Sequence, residues 1–225
     1  MNKKVISNTI IILLIPAIII LGALVFKSKH YALISFFVAV LACVPFFLSF
    51  ESQTTNTKLF VVLAVLTALS VAGRFIFSFV PGFKPVTAMV ILTAMYFGPQ
   101  AGFLTGAMTA LISNFYFGQG AWTPFQMFVW GFIGLLAGFL AEYLKQNLVL
   151  LSIFGVISGA LFSLLMDVWT ALWWDGTLEL SRYLAVTATA LPITVIYAAS
   201  NLVFLLVLSK PIGKKLERIK LKYNL

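Results

Sequence analysis

Apolar residues occupy long blocks along this chain, separated by short polar or Gly/Pro-rich breaks. The first two blocks cover residues 5–26 and 31–50, with Lys27, Lys29 and His30 in the tight connection between them. Pro16 and Pro45 each interrupt one block, which a membrane helix tolerates where neighbours satisfy the freed carbonyl. A polar stretch, residues 51–58, then marks the best boundary in the chain. A third block runs from residue 59 to about 79, where Pro81-Gly82 opens a loop ending at Lys84-Pro85. The block at residues 86–97 is too short for an upright crossing, which takes about 20 residues. Gly98-Pro99 breaks the pattern before residues 101–117. Either one helix is kinked at Pro99 or two short or tilted helices meet at a tight turn, and Gly-Pro after an aromatic residue favours the turn. A polar-aromatic loop, residues 118–124, precedes three last blocks at 125–144, 148–172 and 183–209.

The pattern predicts an all-α, polytopic membrane bundle of eight helices, or seven if Pro99 is only a kink. Composition agrees. Of 225 residues, 62% are hydrophobic and 9% charged, against roughly 25% charged in soluble domains, which excludes a water-soluble enzyme. At about 20 residues per crossing, about seven to nine spans is the ceiling. The first block is too long for a signal peptide and lacks a small-x-small site before Lys27, so it reads as a retained helix.

The net charge of +9 is densest at Lys210, Lys214, Lys215, Arg218, Lys220 and Lys222, directly after the last block. That placement fits the positive-inside bias and anionic phospholipid, with no call for nucleic acid. An even helix count puts both termini on one side, and the tail places that side in the cytoplasm. The connections at 51–58 and 142–145 then face in, while those at 79–85, 118–124 and 174–182 face out. Lys27, Lys29 and His30 fall outside in this arrangement and run against the bias, but the C-terminal cluster outweighs them.

Small residues recur at helical spacing in four places: Ala64, Ala68 and Ala72; Gly98, Gly102, Gly106 and Ala110; Gly131, Gly134 and Gly138; and Gly155, Gly159 and Ser163. Such stripes let membrane helices approach closely. Packing within the chain is the plain reading, and docking of a separate membrane subunit on the alanine stripe is the sharper one.

Charges inside apolar blocks are expensive and therefore informative. Arg74 and Asp167 both lie towards the outward ends of their helices, at similar depth. They can form a structural pair, face a ligand, or, for Arg74, snorkel. The same level gathers Phe79, Phe83, Phe115, Tyr116, Trp122, Trp130, Trp169, Trp173, Trp174 and Tyr183, with the amides Asn114, Gln119 and Gln126 among them. Interfacial belts account for many such rings, yet an aromatic cavity with a few convergent amides also binds and orients an apolar organic molecule. Asp175, Glu179 and Arg182 read as solvent-side residues, with a lid as the alternative.

Other chemistries lack their residues. The chain has no GxxxxGK[ST] loop for phosphate. His30 is its only histidine and Cys43 its only cysteine, so a histidine-based triad, a disulfide framework and a His/Cys/Asp metal site are all excluded. Asp167 alone is a thin basis for a proton relay.

From residue 59 onward the sequence resembles the substrate-binding S component of energy-coupling-factor vitamin transporters. The resemblance is carried by the Ala64, Ala68, Ala72 stripe, the loop around Pro81-Gly82 and Pro85, and the turn Phe97-Gly98-Pro99-Gln100-Ala101-Gly102. Asn114 followed by Gly118, and Trp122-Thr123-Pro124 leading to Trp130-Gly131, complete it. It covers roughly 150 residues; each element is degenerate and the ordered set moderately specific.

The resemblance implies a six-helix substrate-binding membrane core at residues 59–209, with a two-helix N-terminal membrane extension at 1–50 and a basic cytoplasmic tail at 210–225. The extension is absent from the usual core and either packs on the bundle or tethers to it. The family binds a vitamin in the outer half of the membrane and docks its alanine stripe on a transmembrane coupling subunit driven by two ATPase subunits. Carried onto this chain, the docking residues are Ala64, Ala68 and Ala72, and the gate is 79–85. The expected substrate contacts are Arg74, Phe79, Phe83, Asn114, Tyr116, Trp122, Gln126, Trp130, Asp167, Trp169 and Trp173. Such a subunit is no enzyme and holds no metal or cofactor. It captures a vitamin and reorients as a body in the bacterial cell membrane. The branch it looks most like is associated with cobalamin, here a transported ligand; riboflavin, a queuosine precursor and a pantothenate-like compound are the alternatives. A stand-alone secondary transporter or channel and a membrane assembly protein are the competing classes.

Overall fold

The computed structural model describes residues 9–26, 57–120, 122–175 and 179–225 together with positions 37, 41 and 44, excepting the side chains of residues 11, 19, 22–26 and 172–175. Most of the second N-terminal block, Lys27, Lys29, His30, Cys43 and the linker up to residue 56 lie outside the described residues. All regular structure among the described residues is helical. A π-helical turn, Ile10–Leu14, leads into α1 (Ile15–Phe26), and the core follows as α2 (Thr57–Ile76), α3 (Val86–Phe97), α4 (Pro99–Phe117), α5 (Thr123–Phe139), the short α6 (Ala141–Gln146), α7 (Leu148–Asp175) and α8 (Leu180–Tyr223). The chain is an all-α membrane bundle. Helices α2, α7 and α8 are long and apolar enough to cross a membrane, and α3 and α5 are shorter apolar helices.

Helix α3 is the axis. Its residues Val86 to Met95 are all buried, because a helix apolar on every face must be covered on every face. At 1.5 Å per residue its length is only about 18 Å, short of the roughly 30 Å hydrocarbon layer, so other helices shield it. Gly98 then adopts φ 94°, a left-handed conformation that suits glycine. The Gly98 N–H closes α3 on the Ala94 carbonyl at 2.9 Å, and Pro99 opens α4 in its first turn. The Gly98-Pro99 break is thus a turn between two helices, and the kinked single helix is set aside.

Two antiparallel hairpins surround this axis. In the α4–α5 pair, a Cβ placed on Gly134 would stand 2.5 Å from the Gly102 carbonyl group, and one on Gly106 would stand 2.5 Å from that of Trp130. In the α7–α8 pair, a Cβ on Gly159 would stand 2.5 Å from the Ala198 nitrogen, and the Ser163 and Thr194 hydroxyls are 2.7 Å apart. The glycine stripes therefore serve backbone-to-backbone packing inside the chain, where dispersion replaces the hydrophobic effect. The alanine stripe differs. Ala64, Ala68 and Ala72 are all exposed, on a face they share with exposed Val61, Val65, Leu69 and Ile76.

Helix α8 runs for 44 residues, about 66 Å at the α-helical rise, through Pro192 and Pro211. The basic tail is its continuation. Gly213 lies against the Tyr96 hydroxyl and Leu216 is buried, while all six basic residues from Lys210 to Lys222 are exposed. Within the N-terminal extension, Ile15 is fully buried and belongs to the same hydrophobic core as α3 to α5, so α1 packs on the bundle. The bundle thus has two ends. A loop end carries residues 77–85, 118–120 and the entry to α8; a tail end carries Gly98, α6 and the basic helix.

Candidate ligand-binding site

The loop after α2 is built to turn back on the bundle. Phe77 and Phe83 pack on Phe204 of α8, with ring centroids 4.9 Å and 5.0 Å away. Gly82, at φ 77°, sits where a Cβ would stand 2.7 Å from the end of the Ile193 side chain. The hydroxyl of Ser200 accepts from the Lys84 N–H at 2.8 Å and donates to the Lys84 carbonyl at 3.1 Å, tying loop to helix in both directions. Beneath this loop is a small cavity, with room of about 10 Å³, lined by Gly82, Lys84, Thr87, Trp130, Gly159, Phe162, Tyr197 and Asn201.

Trp130 is the cavity's central wall. Its ring stacks on Phe162 (5.1 Å, 20° between planes), and Phe162 meets Tyr197 edge-on at 5.1 Å. Two cations flank it: the Arg74 guanidinium carbon lies 5.3 Å and the Lys84 ammonium 5.8 Å from the Trp130 ring centre. Lys84 also stands 5.6 Å from the Tyr197 ring, and Arg74 4.5 Å from that of Phe117.

Arg74 is 9% exposed and held from behind. Its Nη1 donates to Ser113 Oγ and, at 2.8 Å, to Asn114 Oδ1. Asn114 Nδ2 in turn donates to Thr123 Oγ1 at 3.0 Å and to Gln126 Oε1 at 2.9 Å. Asn114 has both amide hydrogens and its oxygen engaged in this network, so it and Gln126 position the guanidinium.

Asp167 does not pair with Arg74. It is buried on the side facing Thr187 of α8, and neither its Oδ2 nor Thr187 Oγ1 completes a hydrogen bond. Among the described residues, no carboxylate forms an ion pair with Arg74 or Lys84, and the charged group nearest in effect to Lys84 is Arg74 itself. Stacking on aromatic faces gives each cation about 0.5–2 kcal/mol, less than the several kcal/mol that removing an ion from water costs.

The other expected contacts scatter. Phe79 is 77% exposed at the tip of the loop, and Tyr116 is 72% exposed, edge-on to Phe75 at 4.7 Å. Trp122 is exposed beside Gly118 and Gly120. Phe83 belongs to the loop's own packing, and Trp169 is buried against Phe125 at 5.2 Å. The Trp173 side chain lies outside the described residues, as do those of Trp174 and Asp175. Of the expected set only Trp130 lines the cavity, with Arg74, Asn114 and Gln126 behind it. Lys84, Phe162, Tyr197 and Asn201 were not anticipated. Tyr197 and Asn201 stand four residues apart in an otherwise apolar span, on one helical face, and that spacing was the available signal.

Fold and cavity together define a polytopic membrane protein with a polar-aromatic recess under a tethered loop at one end. A family model described as ECF-type riboflavin transporter, S component, matches residues 54–218, and the chain belongs to that family. It is therefore a substrate-capture subunit of an energy-coupling-factor transporter, which works with a transmembrane T component and ATPases and is not itself an enzyme. No curated protein and no solved structure gives a match.

Proposed function

We propose that this subunit captures riboflavin, with its loop end outside the cell and both termini in the cytoplasm. The observation that carries the reading is the cavity under residues 78–85, walled by the stacked Trp130–Phe162 pair and edged by Tyr197, Asn201 and Thr87. A planar ring system suits such a wall, because stacked aromatic faces bind flat heterocycles while a few polar groups fix orientation. As the structure stands the cavity has about 10 Å³ of room, enough for one water-sized group, far below the roughly 300–1,000 Å³ typical of pockets for whole ligands. Entry therefore requires the loop to lift from Ser200. Cobalamin, suggested by the tryptophans, needs a far larger opening, and Trp169 is engaged in the core against Phe125.

The exposed Ala64, Ala68, Ala72 face is the docking surface for the transmembrane coupling subunit in this reading. It is smooth, apolar and exposed among the described residues. The experiment is equilibrium binding of riboflavin and of cobalamin to the purified protein, followed by co-purification of the coupling subunit. Saturable riboflavin binding is expected, with Ala68→Phe abolishing co-purification and leaving binding intact. Cobalamin binding without riboflavin binding would reverse the substrate assignment; co-purification unchanged in the variant would remove the docking assignment.

A further inference from the structure

One face of α8 changes character at Lys210. Towards the loop end it is apolar and exposed, with Val203 and Val207 four residues apart and Leu206 beside them. Lys210 and Lys214, three and seven residues after Val207, continue that face, and Arg218 and Lys222 extend it at the same four-residue spacing. We propose that this basic stripe is a docking surface for anionic phospholipid, binding the headgroups of the lipids whose acyl chains cover the apolar part of the same face.

Three observations carry it. The tail of α8 is two-sided: Leu216 is 3% exposed, Ile212 and Ile219 are half-buried, and Gly213 rests against Tyr96, while Lys210, Lys214, Lys215, Arg218 and Lys222 are exposed on the other side. Glu217, the one acidic side chain after residue 209, acts on Lys145 of α6 together with Lys220, so it turns towards that neighbour. The stripe is left with like charges at successive i, i+4 positions, which destabilise a helix by mutual repulsion and which an anionic surface relieves. The second observation is continuity. Helix α8 runs unbroken from the apolar part into the basic part, so a side that meets acyl chains leads directly to one at headgroup level. That continuity favours lipid over an acidic protein partner. The third is depth. Measured from Lys210, Lys214 lies about 6 Å along the helix axis and Lys222 about 18 Å, while a headgroup layer is roughly 5–8 Å deep. Lys210, Lys214 and Lys215 therefore share the headgroup level. Arg218 and Lys222 stand beyond it, where attraction fades over a Debye length of about 8 Å.

The test uses the whole chain without flavin. Phosphatidylglycerol and phosphatidylcholine are titrated into detergent-solubilised protein and counted by native mass spectrometry. Melting temperatures are then compared in nanodiscs of phosphatidylcholine, alone or mixed with phosphatidylglycerol, at low and high salt. The parent should bind phosphatidylglycerol more tightly and melt higher in its presence, and the gain should shrink as salt rises. Lys214→Gln with Lys215→Gln should lower phosphatidylglycerol affinity about tenfold or more, at about fivefold per cation in the layer. Arg218→Gln with Lys222→Gln should lower it clearly less, and Lys145→Gln should leave it unchanged. A parent without the preference, or with one indifferent to salt, would overturn the proposal with no variant needed. So would a preference that survives loss of the inner pair. A larger loss from the outer pair would transfer the stripe to an acidic protein surface beyond the headgroups. None of these outcomes bears on riboflavin capture, which is measured separately.

Discussion

The two ends of the bundle use the same contact with different charged neighbours. At the tail end the Lys145 ammonium lies 4.8 Å from the Tyr96 ring centre, and Lys58 lies 5.4 Å from that of Tyr223. Two carboxylates, Glu217 and Glu142, act on Lys145 alongside the like charge of Lys220. At the loop end Lys84 rests on Trp130 and Tyr197, and its charged neighbour is a second cation. A cation over an aromatic ring occurs about once per 70–80 residues in proteins generally, so the contact itself marks no site. What differs is that, among the described residues, no carboxylate pairs with the loop-end cations. The tail end is a basic, solvent-facing surface in which carboxylates stand beside Lys145; the loop end keeps Lys84 beside a cavity, at a depth where such charge is costly.

The largest expected effect separates the ends directly. Arg74→Leu removes the donor to Asn114 Oδ1, which is fully buried, and strips Trp130 of one flanking cation. An orphaned buried acceptor and a broken polar network together cost about 3 kcal/mol or more. A clear fall in melting temperature and loss of ligand binding are expected. Lys145→Leu, on an exposed residue, should stay within about 0.5 kcal/mol and bind as the parent does. Comparable losses at both positions would erase the distinction.

A smaller effect sharpens it along one seam. Gly106 and Gly138 both belong to the α4–α5 contact, Gly106 against the Trp130 backbone and Gly138 against Pro99 at the tail end. Either glycine changed to alanine forces a Cβ into occupied space, at about 1–3 kcal/mol. Only Gly106→Ala shifts Trp130, so the two should lose similar stability while Gly106→Ala alone weakens ligand binding. Thermal unfolding and binding measured on both variants would check this; equal binding would mean that Trp130 is not a wall of the working site.

Much of the fold was readable because apolar blocks and breaks are local signals. The shortness of residues 86–97, followed by Gly98-Pro99, already pointed to a turn, and Gly98 at φ 94° is its physical form. The stripes were visible too, but their partners were not: alanines every fourth residue and glycines every fourth residue look alike until one face is seen exposed and the others buried. The continuation of α8 through Pro211 depends on Gly213 and Leu216 packing on the bundle, a tertiary effect that overrides a break expected after the last apolar run.

The site was half legible for the same reason. Arg74 stood out because a charge in an apolar block is expensive, while its partner Ser113 lies 39 positions away and carries no local mark. Lys84 was passed over because a lysine in a connection is ordinarily solvated. Its enclosure follows from the loop's attachment to Ser200, 116 positions on. Asp167 shared Arg74's depth, and depth alone left a pair, ligand contact and snorkelling all open; the helical faces set the pair aside.

The smallest prediction concerns pH and belongs to the tail end alone. Burial beside the bundle lowers the Lys145 ammonium below its usual 10.5, the like charge of Lys220 lowers it further, and Glu217 and Glu142 oppose the shift. In the unfolded chain the same group titrates at 10.5. Between the lowered folded value and 10.5, the unfolded state binds more protons than the folded one, so stability rises with pH across that window. The cost is present in full below the folded value and vanishes as the unfolded lysine also loses its proton. Because Lys145 is exposed, solvent and salt screen most of the effect, and a shallow slope is expected. Melting temperatures followed from neutral pH to about 10.5 in low salt should show that slope in the parent and a flatter one in Lys145→Met. An unchanged slope in the variant would mean that the charges around Lys145 are compensated before folding, and that the setting of this lysine owes nothing to the folded arrangement of Tyr96, Glu142 and Glu217.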